Sequence, residues 1–350
     1  MAVEKGKPAG RTRLTRDLKD GTFSSLYIFS GEETYLKEYY LNELKKQVVE
    51  PAFADFNLIE FEGKGLTPEQ LSEAIDSYPA MAEKKLIIVR DFDLFKPPAA
   101  FADVLLEQLS DLPEYVCLVF YYDILEGKPD KRTKLYKALE KNACFVEFSH
   151  LEERELVAWI ERQVRALGCT ITPDNAAYMI FLCGNSMTNL SGEIEKAASH
   201  STTGEIQKYN IDSVCSPVLD AVVFDLTDAI TAGKFDRAVA LVGELIAQKN
   251  NEVMIFTTIT RHIQRLYAAK LCDTARGGEK VLMEMIGSKS PYYARQIQNA
   301  ARRVSLEWLR IAASECAKTD TALKSSAADK QKQIELCLLT LASALKEGRK

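Results

Sequence analysis

Leu86-Ile87-Ile88-Val89 is an unbroken run of large, mostly β-branched apolar residues with charged residues on both sides. A short continuous run of this kind suits a strand buried on both faces, as in a parallel sheet covered by helices. Parallel neighbours need crossover connections, so such a strand commits the surrounding chain to alternate strands with helices.

The flanking sequence has that alternation. Leu26-Tyr27-Ile28-Phe29 is a first strand, bounded by Gly31. A helix follows, with Leu36, Tyr40, Leu44 and Val48 on one face. Phe56 to Phe61 is expected as a second strand. Thr67, Pro68 and Gln70 form a helix-start signal with a capping box, and Leu71 and Ile75 lie on that helix's inner side. After the run at 86–89 come a helix over Ala99–Leu109, a strand over Tyr115–Tyr121, a helix over Lys131–Lys141 and a strand over Cys144–Phe148. Beyond His150 the pattern is helical. Helices are expected over 151–167, from Thr172-Pro173 to Gly184, and over 188–199, with a short one at Ile211–Val214. From Leu219 onward helices continue to the end, with breaks near Gly233, Asn250-Asn251, Gly277-Gly278 and Ser290-Pro291.

The fold class expected is therefore α/β followed by all-α. The divisions are a polar N-terminal tail or short helix over 1–22, an α/β sheet domain over 23–149, a small helical domain over 150–215 and a helical bundle over 216–350. The bundle follows from apolar faces such as Ile255, Ile259, Ile263 and Leu266, which need partners to cover them.

Composition narrows the function. With 47% hydrophobic and 27% charged residues, the 350-residue chain is ordinary for a globular protein. A net charge of −5 is not that of a free DNA-binding domain, so any DNA contact is local or shared with partners. The eight cysteines form no CxxC pair, and none has a histidine at zinc-ligand spacing, so they are expected as small buried hydrophobes in a reducing compartment. The three histidines are too scattered for a metal site. Arg11, Arg13 and Arg16 break up any apolar leader, and no stretch reaches the roughly 18 apolar residues of a membrane span. The expected location is cytoplasmic.

No catalytic constellation stands out. A phosphate-binding loop needs GxxxxGK[ST] between the first strand and its helix, so that backbone N–H groups close on the phosphates and lysine neutralises them. Here Ser30-Gly31-Glu32-Glu33-Thr34 fills that turn, with one glycine, two carboxylates and no lysine before Lys37. The carboxylates would repel a phosphate, and as ordinary structure they suit the positive end of a helix. Asp91-Phe92-Asp93 sits where a magnesium-binding acid would follow the third strand, but without the loop it is expected as a solvated strand end. No nucleophile–base pair or metal motif is present, so no cofactor, metal ligand or catalytic residue is assigned.

Two stretches are candidates for binding. Tyr78, Pro79, Ala80 and Met81 form an apolar loop between a helix end and the buried strand. Such a loop is either tucked beneath the sheet or a contact surface, and the residues alone leave both open. Arg295, Arg302 and Arg303 cluster near Tyr292 and Tyr293 on a helix, where they could touch DNA phosphate or simply form a solvated face.

Several segments, in order, resemble the delta-subunit family of bacterial clamp loaders, which are of the AAA+ class. Gly31-Glu32-Glu33-Thr34-Tyr35-Leu36 is similar to the family's GEExYL opening. Ser77 to Val89 resembles its threonine-leucine-proline-phenylalanine-phenylalanine segment running into strand three. Pro129 to Leu139 is similar to its DKRxKLYKAL helix, Phe224–Ile230 to the start of its collar, and Asp320-Thr321-Ala322-Leu323-Lys324 to a late collar motif. The resemblance covers roughly 23–345. It implies an AAA+-like sheet domain without a phosphate loop, a helical lid and a helical collar. It implies a subunit of the DNA polymerase III holoenzyme that opens the sliding clamp (beta) for loading on primed DNA and hydrolyses no ATP itself. Its partners would be the clamp and, through the collar, the ATPase gamma/tau and delta prime subunits. The clamp-binding wedge would lie at Tyr78–Met81, with Ala80 standing where the family has a bulky residue, so that anchoring falls on Met81. The competing readings are a degenerate AAA+ nucleotide hydrolase and a helical adaptor of another DNA-processing complex.

Overall fold

A computed structural model describes residues 9–123, 132–325 and 329–347. Two compact units divide the chain after His150. The first contains α1 (Ala9–Asp20), β1 (Leu26–Ser30), α2 (Thr34–Val48), the single turn α3 (Ala54–Asn57), β2 (Leu58–Glu62), α4 (Pro68–Asp76), β3 (Lys85–Arg90), α5 (Ala102–Ser110), β4 (Val116–Tyr121), α6 (Lys134–Asn142) and β5 (Cys144–Glu147). Its five strands form one sheet in the order β2-β3-β4-β1-β5, and every pairing is parallel.

Strand alternation sends β-strand side chains to two cores. Leu26, Ile28, Ile87, Val89, Leu118 and Phe120 pack with α4, α5 and α6, through residues such as Leu71, Leu105 and Leu139. Tyr27, Phe29, Leu86, Ile88, Val119 and Tyr121 pack on the other face with α1 and α2, through Leu14, Leu41 and Leu44. Burial on both faces is why β3 and β4 read as continuous apolar runs. The Thr67–Gln70 capping box forms as the sequence predicts, with the Gln70 amide N–H donating to the threonine hydroxyl at 3.3 Å and the Thr67 N–H to the Gln70 side chain at 3.0 Å.

Residues 9–20 do not form a loose tail. They make α1, whose Leu14 is fully buried, and Gly10 lets the helix lie against the β5 backbone, where a Cβ would come 1.6 Å from the Phe145 carbonyl oxygen. Asp17 accepts from the Tyr27 hydroxyl at 2.7 Å and Ser24 Oγ at 3.0 Å, tying α1 to β1. The second strand begins at Leu58 rather than Phe56, because Ala54–Asn57 closes a helical turn. Thr133 caps α6 by accepting from the Tyr136 N–H, so the helix starts three residues beyond Lys131, which with Pro129 and Asp130 lies outside the described residues.

The second unit begins with α7 (Glu153–Ala166), β6 (Thr170–Ile171), α8 (Pro173–Cys183), α9 (Met187–His200), β7 (Glu205–Ile206) and α10 (Lys208–Val214). It continues with α11 (Leu219–Thr231), α12 (Phe235–Ala247), α13 (Glu252–Thr274), α14 (Glu279–Ile286), α15 (Pro291–Arg302), α16 (Leu306–Ser325) and α17 (Lys330–Glu347). The small pair β6–β7 is parallel. Helix α13 is the axis of the bundle. Ile255, Ile259, Ile263 and Leu266 are all buried along it, and α11, α14, α15, α16 and α17 pack around them. The breaks expected from sequence are helix caps. Asn251 accepts from two N–H groups at the start of α13, and Ser290 accepts from Tyr293 N–H at the start of α15. Hydrogen bonds and ring contacts join the smaller helices to the bundle. The Glu153 carboxylate accepts from Ser290 Oγ and the Tyr292 N–H at the N-terminus of α15, and the Phe181 ring meets Phe224 edge-on at 5.2 Å.

Candidate functional site

The loop from α4 to β3 carries the predicted contact residues. Tyr78 and Met81 are 82% and 84% exposed, whereas Pro79 and Ala80 are half-buried. Two large apolar side chains of one loop are thus open to solvent rather than packed in the core. Of the two readings the sequence left open, an inward tuck is excluded for both of these side chains.

The loop's backbone is fixed from two sides. Asn57, fully buried at the end of α3, donates from Nδ2 to the Ala80 carbonyl at 2.9 Å and accepts at Oδ1 from the Ala80 N–H at 2.8 Å. Lys85, the buried first residue of β3, donates to the Ser77 carbonyl and, at 3.0 Å, to Ser77 Oγ. Burial pushes the Lys85 ammonium below the ordinary lysine range, opposed by the negative charge of Asp76. The Tyr115 ring lies 5.3 Å beneath this ammonium and 5.0 Å from the Tyr78 ring. Met81 itself is in the left-handed region, at φ 50°. Sequence reading missed Asn57 and Lys85, because each acts across the fold on a backbone its own neighbours do not contain. It also missed Phe56, which is 69% exposed on α3 next to Asn57.

The turn after β1, where a nucleotide-binding relative of this topology would hold phosphate, is filled by the chain's own groups. Glu33 is buried and accepts from its own backbone neighbours nothing at its side chain; its carboxylate instead meets His150 Nδ1 at 2.9 Å, while the Glu33 N–H donates to the Phe148 carbonyl. Lys37 is fully buried and donates to the Tyr122 and Asp123 carbonyls at 2.8 and 3.0 Å, just past β4. Burial lowers its proton affinity, against the raising influence of Asp123 and Asp91. Gly31 has φ +110°, and a Cβ there would lie 2.4 Å from the Phe148 oxygen. Asp91 accepts from the Asp123 N–H at 2.8 Å and Asp93 from the Phe95 and Lys96 N–H groups, so both acids brace loops at the strand ends.

The arginines are less open than their sequence cluster suggests. Arg295 is exposed on α15, but Arg302 pairs with Asp273 at 3.3 Å and Arg303 pairs with Asp228. A phosphate at either would displace a carboxylate. Among the described residues, one group of metal-capable side chains forms that spacing alone did not reveal. Cys183, Glu193 and Cys215 are all buried, with ligand atoms within 4.8 Å of one another. Glu193 Oε2 is already engaged by Lys196 at 2.6 Å and the Ser216 N–H at 3.2 Å. A hydrogen bond to Cys215, and then burial, push the Cys183 thiol up, so the group is satisfied as a polar core contact.

The comparisons with known proteins divide along the same lines as the fold. A model of the DNA polymerase III delta subunit matches residues 27–149, and one of that subunit's C-terminal domain matches residues 220–341. The chain belongs to the DNA polymerase III delta-subunit family. The DNA polymerase III subunit delta of Bacillus subtilis (strain 168) is 25% identical over 337 residues, 93% of this chain and 95% of that one. The solved structure of the Bacillus subtilis DNA clamp loader delta protein (YqeN) is similar at a TM-score of 0.54 and 23% identity, covering 95% of this chain and 99% of that one. The fold is AAA+-like, a parallel sheet unit followed by helices. Delta subunits work within the clamp-loader complex of DNA replication, and this chain takes that place. Among the described residues no helix is long and apolar enough to cross a membrane.

Proposed function

We propose that this chain binds the sliding clamp through the loop at Tyr78–Met81 and holds the ring open for loading on primed DNA. The observation that carries the reading is a pair of exposed apolar side chains, Tyr78 and Met81, on a loop whose backbone is fixed by buried groups. An apolar anchor entering a partner pocket is the usual form of an interface hot spot, and methionine adapts to irregular pockets. Burying a side chain of this size contributes roughly 1.5–3 kcal/mol, about one to two decades of affinity. Ala80 adds little, both because it is small and because its backbone is turned to Asn57.

Opening is then a matter of differential binding. A chain that grips the open ring better than the closed one shifts the population by no more than that difference, and no chemical step is required of it. Lys37, Glu33 and His150 occupy the turn that a nucleotide would need, which favours this reading over a degenerate nucleotide hydrolase. ATP use would fall to the gamma/tau subunits, met with delta prime through the collar helices α11–α17, and the setting would be the cytoplasm. Contact of Arg295, Arg302 and Arg303 with DNA would accompany assembly, when Asp273 and Asp228 could be exchanged for phosphate; exposed pairs of this kind are worth about 0–1 kcal/mol each.

The test is a titration of the purified clamp with the wild-type chain and with Met81→Asp. The expected result is loss of binding by the variant with an unchanged melting temperature, since the side chain is exposed. Equal binding by both would remove the loop from the clamp contact.

A further inference from the structure

We propose that Asn57 is the positioning residue of the clamp-contact loop, an assignment that rests on the clamp-binding reading above. Its side-chain amide pairs with both backbone groups of Ala80, the donor on the carbonyl at 2.9 Å and the acceptor on the N–H at 2.8 Å. This is the pattern one residue of a strand offers a neighbouring strand, supplied here by a side chain. Ala80 immediately precedes Met81, so the pairing fixes the peptide from which the anchor projects.

Two features make that fixing necessary. Met81 has φ 50°, a conformation that an L-residue with a Cβ leaves when nothing holds it. On its exposed side the loop has little packing, with Tyr78 82% exposed beside the Tyr115 ring and Met81 84% exposed. Lys85 secures the base of the loop at Ser77, and Asn57 secures its far end. Asn57 is itself held with no exposure, at the last position of α3, directly before β2. The turn α3, at the place where a strand was expected, delivers this amide to the loop.

Removing the amide leaves the contact side chains intact and lets the loop sample other conformations. Apparent affinity falls by the fraction of molecules still in the competent conformation. With the loop competent about one time in ten, clamp affinity drops about tenfold. Nothing in the clamp-facing chemistry changes.

The experiment uses the full chain in four forms: wild type, Asn57→Ala, Met81→Asp and Leu14→Ala. Leu14→Ala opens a cavity in the core of the same sheet unit and serves as a control for general loss of stability. Clamp affinity is measured by titration, and hydrogen exchange is followed at the amides of residues 77–83 and of β3. The expected result is roughly tenfold weaker binding by Asn57→Ala, with faster exchange at Ala80 and its neighbours and unchanged exchange in β3. Leu14→Ala binds the clamp as wild type does. The positioning role is overturned if Asn57→Ala binds like wild type while Met81→Asp does not. It is equally overturned if Leu14→Ala loses as much affinity as Asn57→Ala. If Met81→Asp binds like wild type, the loop is not the contact, and the clamp-binding reading falls with it.

Discussion

At the scale of single residues, several side chains with functional-looking identities serve the fold. Lys37 is the clearest. In sequence it is a surface-like lysine one turn into a helix; in the fold its ammonium caps two carbonyls past β4. A buried lysine is tolerated only when its donors are used, and those acceptors come from residues 85 and 86 positions away. No local pattern could reveal that. Gly31, by contrast, was legible, because a glycine after a strand signals a backbone that other residues reject. Its φ of +110° and the 2.4 Å approach to the Phe148 oxygen make Gly31→Ala costly, on the order of 2 kcal/mol or more. Thermal unfolding should register this as a Tm lower by about 4–8 °C. A Tm within a degree of wild type would contradict the packing described for β5.

At the scale of elements, helix ends were the most readable features, because caps are local chemistry. Thr67, Thr172, Asn251 and Ser290 all accept N–H groups at helix starts where the sequence placed breaks. Elements whose character depends on distant partners were read less well. Helix α1 looks polar because three arginines surround one stripe of leucines, and only the β5 backbone explains the stripe. Helix α13 holds a further example in His262, buried with its ring edge-on to Phe224 at 5.1 Å. Burial first, and then the Arg265 charge, lower its pKa from 6.5 to about 3. The folded imidazole thus stays neutral while the unfolded one takes a proton. Stability is complete above the unfolded value of 6.5 and is lost as pH falls below it toward about 3, by up to about 1.4 kcal/mol per pH unit. His262→Gln should therefore flatten the decline of Tm between pH 6.5 and 4, measured by calorimetry. An identical slope in the variant would show that the histidine does not carry it.

At the scale of the whole molecule, the class of architecture was legible and the sheet order was not. Alternating strands and helices followed by helices alone give a parallel sheet and a bundle from periodicity. Nothing in one sequence says that β1 lies between β4 and β5, yet that order brings the end of β5, and His150 beyond it, to the turn after β1. The loop at Tyr78–Met81 was legible as an apolar stretch, though not as one held from two sides, since Asn57 and Lys85 reach it from other elements of the sheet unit. The proposed function is one of binding. A ring opener that acts by differential affinity should release the clamp from circular DNA stoichiometrically and without nucleotide. The most direct measurement is release of labelled clamp from nicked circular DNA by the isolated chain, with ATP absent. Release by wild type and none by Met81→Asp is the expected result. Release that requires ATP, or that Met81→Asp performs equally well, would contradict it.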